Sequence, residues 1–203
     1  MHINKLLDKR SPYLFLIKFL VCFVILYLFF PVYRGITGPG GDFYSAFLDS
    51  HFNLIKGLTK FLTASSKAFL ELLQYNVKQN DYHSLKIGFS RGVSVNPSCL
   101  GWAVMSFWIA FVYANKSNWK HKMGWMVLGI ACIMLLNIFR IILILLANHL
   151  NWSFLASLDS HLIFNIISYG FIFLLIFWYL GAQKKHEAVE SNRRKAEGQL
   201  SQL

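Results

Sequence analysis

The chain has 203 residues, with 20 Lys and Arg against 9 Asp and Glu, a formal net charge of +11, 56% hydrophobic residues and only 14% charged residues. That charged share lies well below the roughly 25% of an ordinary soluble domain, and with a mean hydropathy of +0.46 the apolar excess sits in long blocks. A soluble globule, a disordered chain and a disulfide-stapled secreted domain are excluded, and the basic residues flank the blocks instead of forming one nucleic-acid-binding patch.

A bilayer crossing needs about 20 mostly apolar residues, and four blocks approach or exceed that: Tyr13 to Val32, Leu100 to Ala114, Met123 to Ala147 and Leu162 to Leu180. The second is short and borrows its flanks, Cys99 and Asn115. The first has the basic start and apolar centre of a signal peptide, but it is long and runs into Tyr33, Arg34 and Gly35 instead of a small-residue cleavage site, so it reads as a retained span.

Orientation follows from Lys and Arg, which are enriched in short cytoplasmic segments. Lys5, Lys9 and Arg10 precede the first span, Lys116, Lys120 and Lys122 lie between the second and third, and Lys184, Lys185, Arg193, Arg194 and Lys195 follow the fourth; residues 148–160 carry none. Both termini are therefore expected in the cytoplasm. The long segment before Cys99 holds seven Lys and Arg, but segments of that length are translocated with little regard to charge.

The expected organisation is a cytoplasmic N-terminus (1–12), a first span (13–32), an external segment (33–98), a unit of three spans (99–183) and a cytoplasmic tail (184–203). Within the external segment, residues 34–42, rich in glycine, read as an irregular loop. An amphipathic helix over about 43–76 follows, with Phe47, Leu54, Leu58, Phe61, Leu62, Phe69 and Leu72 in one sector and Lys56, Lys60 and Lys67 almost opposite. Leu85, Ile87, Phe89, Val93 and Val95 alternate with other residues around Arg91 and Gly92, which fits a small hairpin just before Cys99. The fold class is thus an all-α integral membrane protein, a polytopic bundle of about four transmembrane helices with an external amphipathic helix and a small hairpin.

Three residues fall at one depth. Cys22 and Cys132 lie well inside spans, where cysteine is normally a small buried hydrophobe; Cys99 sits at the outer end of the second span, behind Pro97 and Ser98, where a helix start favours thiolate. Arg140 lies about 25 Å along the third span from Met123, with Asn137 on nearly the same face, and an arginine at such depth points into a bundle or a polar cavity. His161 opens the fourth span and forms a stripe with Asn165 and Ser168. His149, in the external connection, competes with it but has no such stripe; Asp159 can orient or charge the imidazole, although the two-residue spacing points it elsewhere once the helix has begun. Thiolate, imidazole and guanidinium divide the work of acyl transfer: nucleophile, acid and base, and oxyanion stabiliser. The spacing has no His-Glu-x-x-His pair or Cys-x-x-Cys run, which leaves a metal hydrolase using Cys99, His149 and His161 as a weak rival. No metal or other cofactor is called for. A non-catalytic membrane scaffold or assembly factor, with its polar centre used for packing, is the main alternative.

Pro97 to Gly101, then Asn137 to Ile141, then Ser160 and His161 at the start of the last span, in that order and at that depth, resemble the exosortase/archaeosortase family. The resemblance spans roughly Arg91 to Leu180. It implies a membrane cysteine transpeptidase that cleaves the C-terminal sorting signals of exported, membrane-anchored proteins, through a thioester, at the outer face of the bacterial cytoplasmic membrane. By motif match Cys99 is the nucleophile, and Arg140 and His161 complete the site, with Asn137 and Asn165 in support; the implied partners are those client proteins and the bilayer, with the acyl acceptor open. The chain departs in having few spans before the cysteine, and in reading Ser-Cys-Leu-Gly where many members have Cys-Ser-Gly or Cys-Ala-Gly.

Overall fold

The computed structural model describes residues 3–38, 43–152 and 160–200; within these, the side chains of 3–11, 98, 160–165, 186, 187 and 190–200 lie outside the description. In chain order it comprises α1 (Ile3–Thr37), α2 (Ala46–Phe52), α3 (Leu54–Leu72), β1 (Val77–Asp81), β2 (Ser84–Ile87), β3 (Val93–Ser94), a 3₁₀ turn (Pro97–Leu100), α4 (Trp102–Ala114), α5 (Trp119–His149) and α6 (Ser160–Leu200). Three helical stretches, Pro12–Thr37, Trp119–His149 and Ile166–Lys185, are long and apolar enough to cross a membrane, and α4 is a shorter apolar helix. The protein is an all-α multi-pass membrane protein with a small sheet at one end.

Aromatic contacts fix the helix directions. Phe15 of α1 meets Phe111 near the end of α4 at 6.0 Å between ring centroids, and Phe30 stacks on Trp102 at the start of α4 at 5.3 Å, so α1 and α4 are antiparallel. Trp102 also donates its indole N–H to the Leu26 carbonyl at 2.8 Å, in the helical turn before Pro31. Trp125 of α5 meets Trp178 and Tyr179 of α6 at 5.0 and 5.4 Å, and Gln183, a turn further along α6, donates to the carbonyl of Lys116, just before α5, at 2.6 Å, so that pair is antiparallel too.

Helices α4 and α5 approach closely at a glycine. A Cβ built on Gly129 would sit 1.9 Å from Nε1 of Trp108, so only glycine lets the fully buried indole lie against the α5 backbone. The indole N–H donates to the Trp125 carbonyl at 3.0 Å, one turn earlier. Small residues serve this purpose where helices meet in a membrane, because lipid supplies no hydrophobic drive for the contact.

The segment before Cys99 differs from the sequence expectation in three ways. Helix α1 continues through Arg34 and Gly35 to Thr37 instead of giving way to a loop at Arg34. The amphipathic helix is divided at Asn53, whose backbone leaves the helical region and whose side-chain oxygen accepts from Lys56 N at 2.8 Å, capping α3. The Tyr33 hydroxyl locks the break by donating to the Phe52 carbonyl and accepting from Leu54 N. Finally, the hairpin around Arg91 and Gly92 is present, but it belongs to a three-stranded antiparallel sheet in the order β1-β2-β3. The strand β1 escaped notice because Lys78, Gln79, Asn80 and Asp81 are exposed and have little of the β-branched or aromatic character of strands.

The sheet lies between α3 and α5. Val77, Leu85 and Ile87 are buried, and Thr63 of α3 donates to the Tyr82 carbonyl at 2.9 Å. The face of α3 that packs inward is Thr59, Leu62, Thr63, Ser66 and Leu70. Phe61, Phe69 and Leu72 stay exposed, and Phe69 comes within 6.3 Å of Phe139 on the outer surface of α5.

These contacts predict that Gly129→Ala lowers Tm in detergent, by overpacking of about 1–3 kcal/mol, and shifts the tryptophan emission. Gly124→Ala on the same helix, where nothing lies within 4 Å of the new methyl, is expected to leave both unchanged; equal effects from the two would place the sensitivity in α5 itself and not in the Trp108 contact.

Candidate active site

Cys99 is the third residue of the 3₁₀ turn Pro97–Leu100, with its N–H donating to the Asn96 carbonyl at 2.8 Å. Pro97 suits the start of such a turn, since its fixed φ matches and its missing N–H has no partner to lose there. The next residues switch direction. Gly101 adopts φ +70, and α4 begins at Trp102. A side chain at Gly101 would be strained by that φ and would also meet the Asn137 amide nitrogen at 2.8 Å.

Asn137 is the brace. It is 5% exposed and donates its amide to the Leu100 carbonyl at 3.2 Å, tying the cysteine turn to the middle of α5. Arg140, three residues further along α5 and 8% exposed, lies on nearly the same helix face. Cys99, Asn137 and Arg140 together line a cavity of about 210 Å³. The rest of its wall is Ile141, Ile144 and Asn148 from α5 and the consecutive residues Gly92, Val93, Ser94 and Val95. Asn148 holds that second wall in place by reaching the Arg91 carbonyl at 3.4 Å.

The structure thus brings Cys99, Arg140 and Asn137 to one place. His161 and Asn165 belong by backbone to the opening turns of α6, but their side chains, and all of Asp159, lie outside the described residues. His149, the competing histidine, ends α5 with its ring edge-on to Tyr75 at 5.7 Å and is not part of the cavity wall. Cys22 and Cys132 sit on α1 and α5, away from the cavity that Cys99 lines.

Two features of this end of the bundle were not found in the sequence. The strand wall, Gly92 to Val95, belongs to the hairpin that the alternation predicts, but its part in the cavity was not found; its position immediately before Cys99 is the available signal. The larger feature is a neighbouring cavity of about 750 Å³ between the end of α1, the α2–α3 break and the approach to Pro97. Val95 is common to both cavities. Arg34, Lys56 and His83 give the larger one a basic lining, while its one carboxylate, Asp49, is held below the ordinary carboxylate range by hydrogen bonds from Asn53 and Tyr44. These residues are dispersed in sequence, so no local pattern announces them.

The chemistry available at the smaller cavity is that of a thiol and a guanidinium on one wall, with a carboxamide fixing the backbone that carries the thiol. No curated protein and no solved structure matches the chain. The family model for the transmembrane exosortases matches residues 11–178, a stretch that contains the cysteine turn, the Asn137 brace and Arg140 and covers most of the chain; the protein therefore belongs to the transmembrane exosortase family.

Proposed function

We propose that this chain is a membrane-embedded cysteine transpeptidase or protease that cleaves the C-terminal sorting signals of exported proteins, with Cys99 as nucleophile. The observation that carries the reading is the single cavity lined by Cys99 and Arg140, with Asn137 bracing the turn between them.

In this scheme the Cys99 thiolate attacks the scissile carbonyl carbon, and the carbonyl electrons move to oxygen. Arg140 stabilises that oxyanion with planar N–H donors fixed by burial. Collapse of the intermediate expels the amine of the C-terminal fragment, which takes a proton from His161, and leaves the upstream part of the client as a thioester on Cys99. An incoming amine, hydroxyl or water then attacks the thioester, gives its proton to His161 and releases the thiolate. Asn137 is a positioning residue in this scheme, and Asn165 lies one turn from His161 on the same helix.

Helix geometry supports the inclusion of His161. Fifteen residues separate Trp125 from Arg140 on α5, and the same count back from Tyr179 on antiparallel α6 reaches Phe164, within a turn of both His161 and Asn165. The orientation that goes with the reading has both termini in the cytoplasm and the cavity on the outer side of the bacterial cytoplasmic membrane, since short basic segments open α1, link α4 to α5 and follow the α6 span, and the α4–α5 link lies at the opposite end of α4 from Cys99. Membrane-anchored proteins ending in a short motif, a span and a basic cluster are the clients.

Two outcomes test this. Cys99→Ala should reduce processing of a tagged client of that kind by about 10³-fold or more without loss of expression, while Cys22→Ala and Cys132→Ala process it normally; wild-type processing by the Cys99 variant rejects the assignment. Arg140→Lys should lower kcat by about 10²-fold, because an ammonium does not reproduce the guanidinium's planar donors, and a wild-type rate would reduce Arg140 to a packing role.

A further inference from the structure

The strand beside Cys99 has an unused edge. Leu85 faces Val93 and Ser84 faces Ser94 across the β2–β3 pair, and Val95 N–H donates to the His83 carbonyl at 2.7 Å. Hydrogen-bonded pairs alternate along an antiparallel ladder. Val93 and Val95 therefore turn their N–H and C=O groups toward β2, and Ser94 turns both of its own the other way. Among the described residues the sheet ends at β3, so no strand meets them.

That edge opens into the cysteine cavity. Successive side chains of a strand point to opposite faces, so a cavity lying over one face touches alternate residues. This one is lined by four in a row, Gly92, Val93, Ser94 and Val95, so backbone as well as side chains of this strand borders it. Its opposite wall is Ile141, Ile144 and Asn148 of α5, and Cys99 and Arg140 complete it. Inward-facing Val95 and Val93 anchor the strand, while exposed Ser94 presents its backbone to the cavity.

We propose that β3 binds the scissile segment of the client as a short added strand, capturing its extended backbone through the N–H and C=O of Ser94 and carrying the chain past Cys99. The inference rests on Cys99 as nucleophile and adds the means of substrate capture. Pairing to a sheet edge supplies affinity through main-chain hydrogen bonds and leaves side-chain selection to neighbouring pockets. It also holds the peptide extended, the form in which a scissile amide lies open to a thiolate. An exposed edge is otherwise a liability that proteins cover or blunt, and here α5 shields it from indiscriminate pairing.

The test uses the full chain with Cys22→Ala and Cys132→Ala, so that intact mass reports alkylation of Cys99. The probes are acetyl-trialanyl chloromethyl ketone, with a backbone but minimal side chains, and chloroacetone, with neither. Rates are normalised to those with free cysteine. The peptide probe should label Cys99 at least about tenfold faster, the gain expected of a pair of net hydrogen bonds. Methylating one probe amide should abolish that advantage while methylating its neighbour does not, because strand pairing uses alternate amides. Ser94→Pro, which removes the edge N–H without touching the β2 ladder, should abolish it as well, and Ser94→Ala should keep it. A peptide probe no faster than chloroacetone, an advantage indifferent to methylation, or an equal loss in Ser94→Ala overturns strand capture. If Ser94→Pro does not fold, the methylated probes on the parent chain decide alone. Labelling by chloroacetone with no peptide advantage rejects only this inference, whereas a Cys99 that neither reagent labels rejects the nucleophile with it.

Discussion

A buried hydrogen bond joins the two halves of the site. The Asn137 carboxamide on α5 donates to the carbonyl of Leu100, the residue after Cys99. The turn it grips cannot be held by helical bonding, because the chain leaves a 3₁₀ turn, passes through a left-handed glycine and enters α4 within a few residues. A buried carbonyl left without a donor there would cost about 1–3 kcal/mol. The bond also sets position: once Asn137 holds Leu100, Arg140 follows one turn later on nearly the same face, and it and Cys99 line one cavity. Gly101 makes the bond attainable, since any larger residue would occupy the space of the Asn137 amide.

The same constraint explains which parts of the site were legible in the sequence. Arg140 stood out because a charged group deep in an apolar run is costly and so demands a partner, and Cys99 because it stands at a span end behind Pro97 and Ser98, where a helix start favours thiolate. Asn137 was seen as Arg140's neighbour on the helix, yet its bond reaches back 37 residues to Leu100, a pairing that spacing on one helix does not encode. Strands were legible where side chains alternated, at Leu85 and Ile87 and again at Val93 and Val95, and illegible at β1, where Lys78 to Asp81 face water and only Val77 is buried. Glycine counts suggested a loop at Arg34, but in a membrane setting Gly35 sits within α1, which continues past it to Thr37.

Helix α3 shows a different limit. Periodicity sets an apolar sector against the lysines, but the face that packs lies between the two and shares only Leu62 with that sector. The structure buries the seam of Thr59, Leu62, Thr63, Ser66 and Leu70 and leaves Phe61, Phe69 and Leu72 outside. Small hydroxyl residues allow close approach and return their hydroxyls to the helix's own carbonyls: Thr59 to Ile55, Thr63 to Thr59 and Ser66 to Leu62. Bulky residues would hold α3 off. Left outside, they extend the apolar outer surface of α5 at Phe139, a surface suited to lipid.

The shortness of α4 completes the account. Its 13 residues span about 20 Å at 1.5 Å each, well short of a hydrocarbon core of about 30 Å. A longer helix would carry its first residue to the membrane surface and leave Cys99 in the aqueous phase. A short helix is preceded by irregular backbone, which lipid does not tolerate unless protein covers it. That cover is present on every side that the contacts define: Trp102 sealed against α1, Leu100 against α5, and α3 with the sheet over the approach. The amphipathic helix and the strands are therefore not ornaments on a bundle of spans. They replace the missing turns of α4 with a shell that keeps the cysteine turn out of lipid and leaves a small cavity beside it.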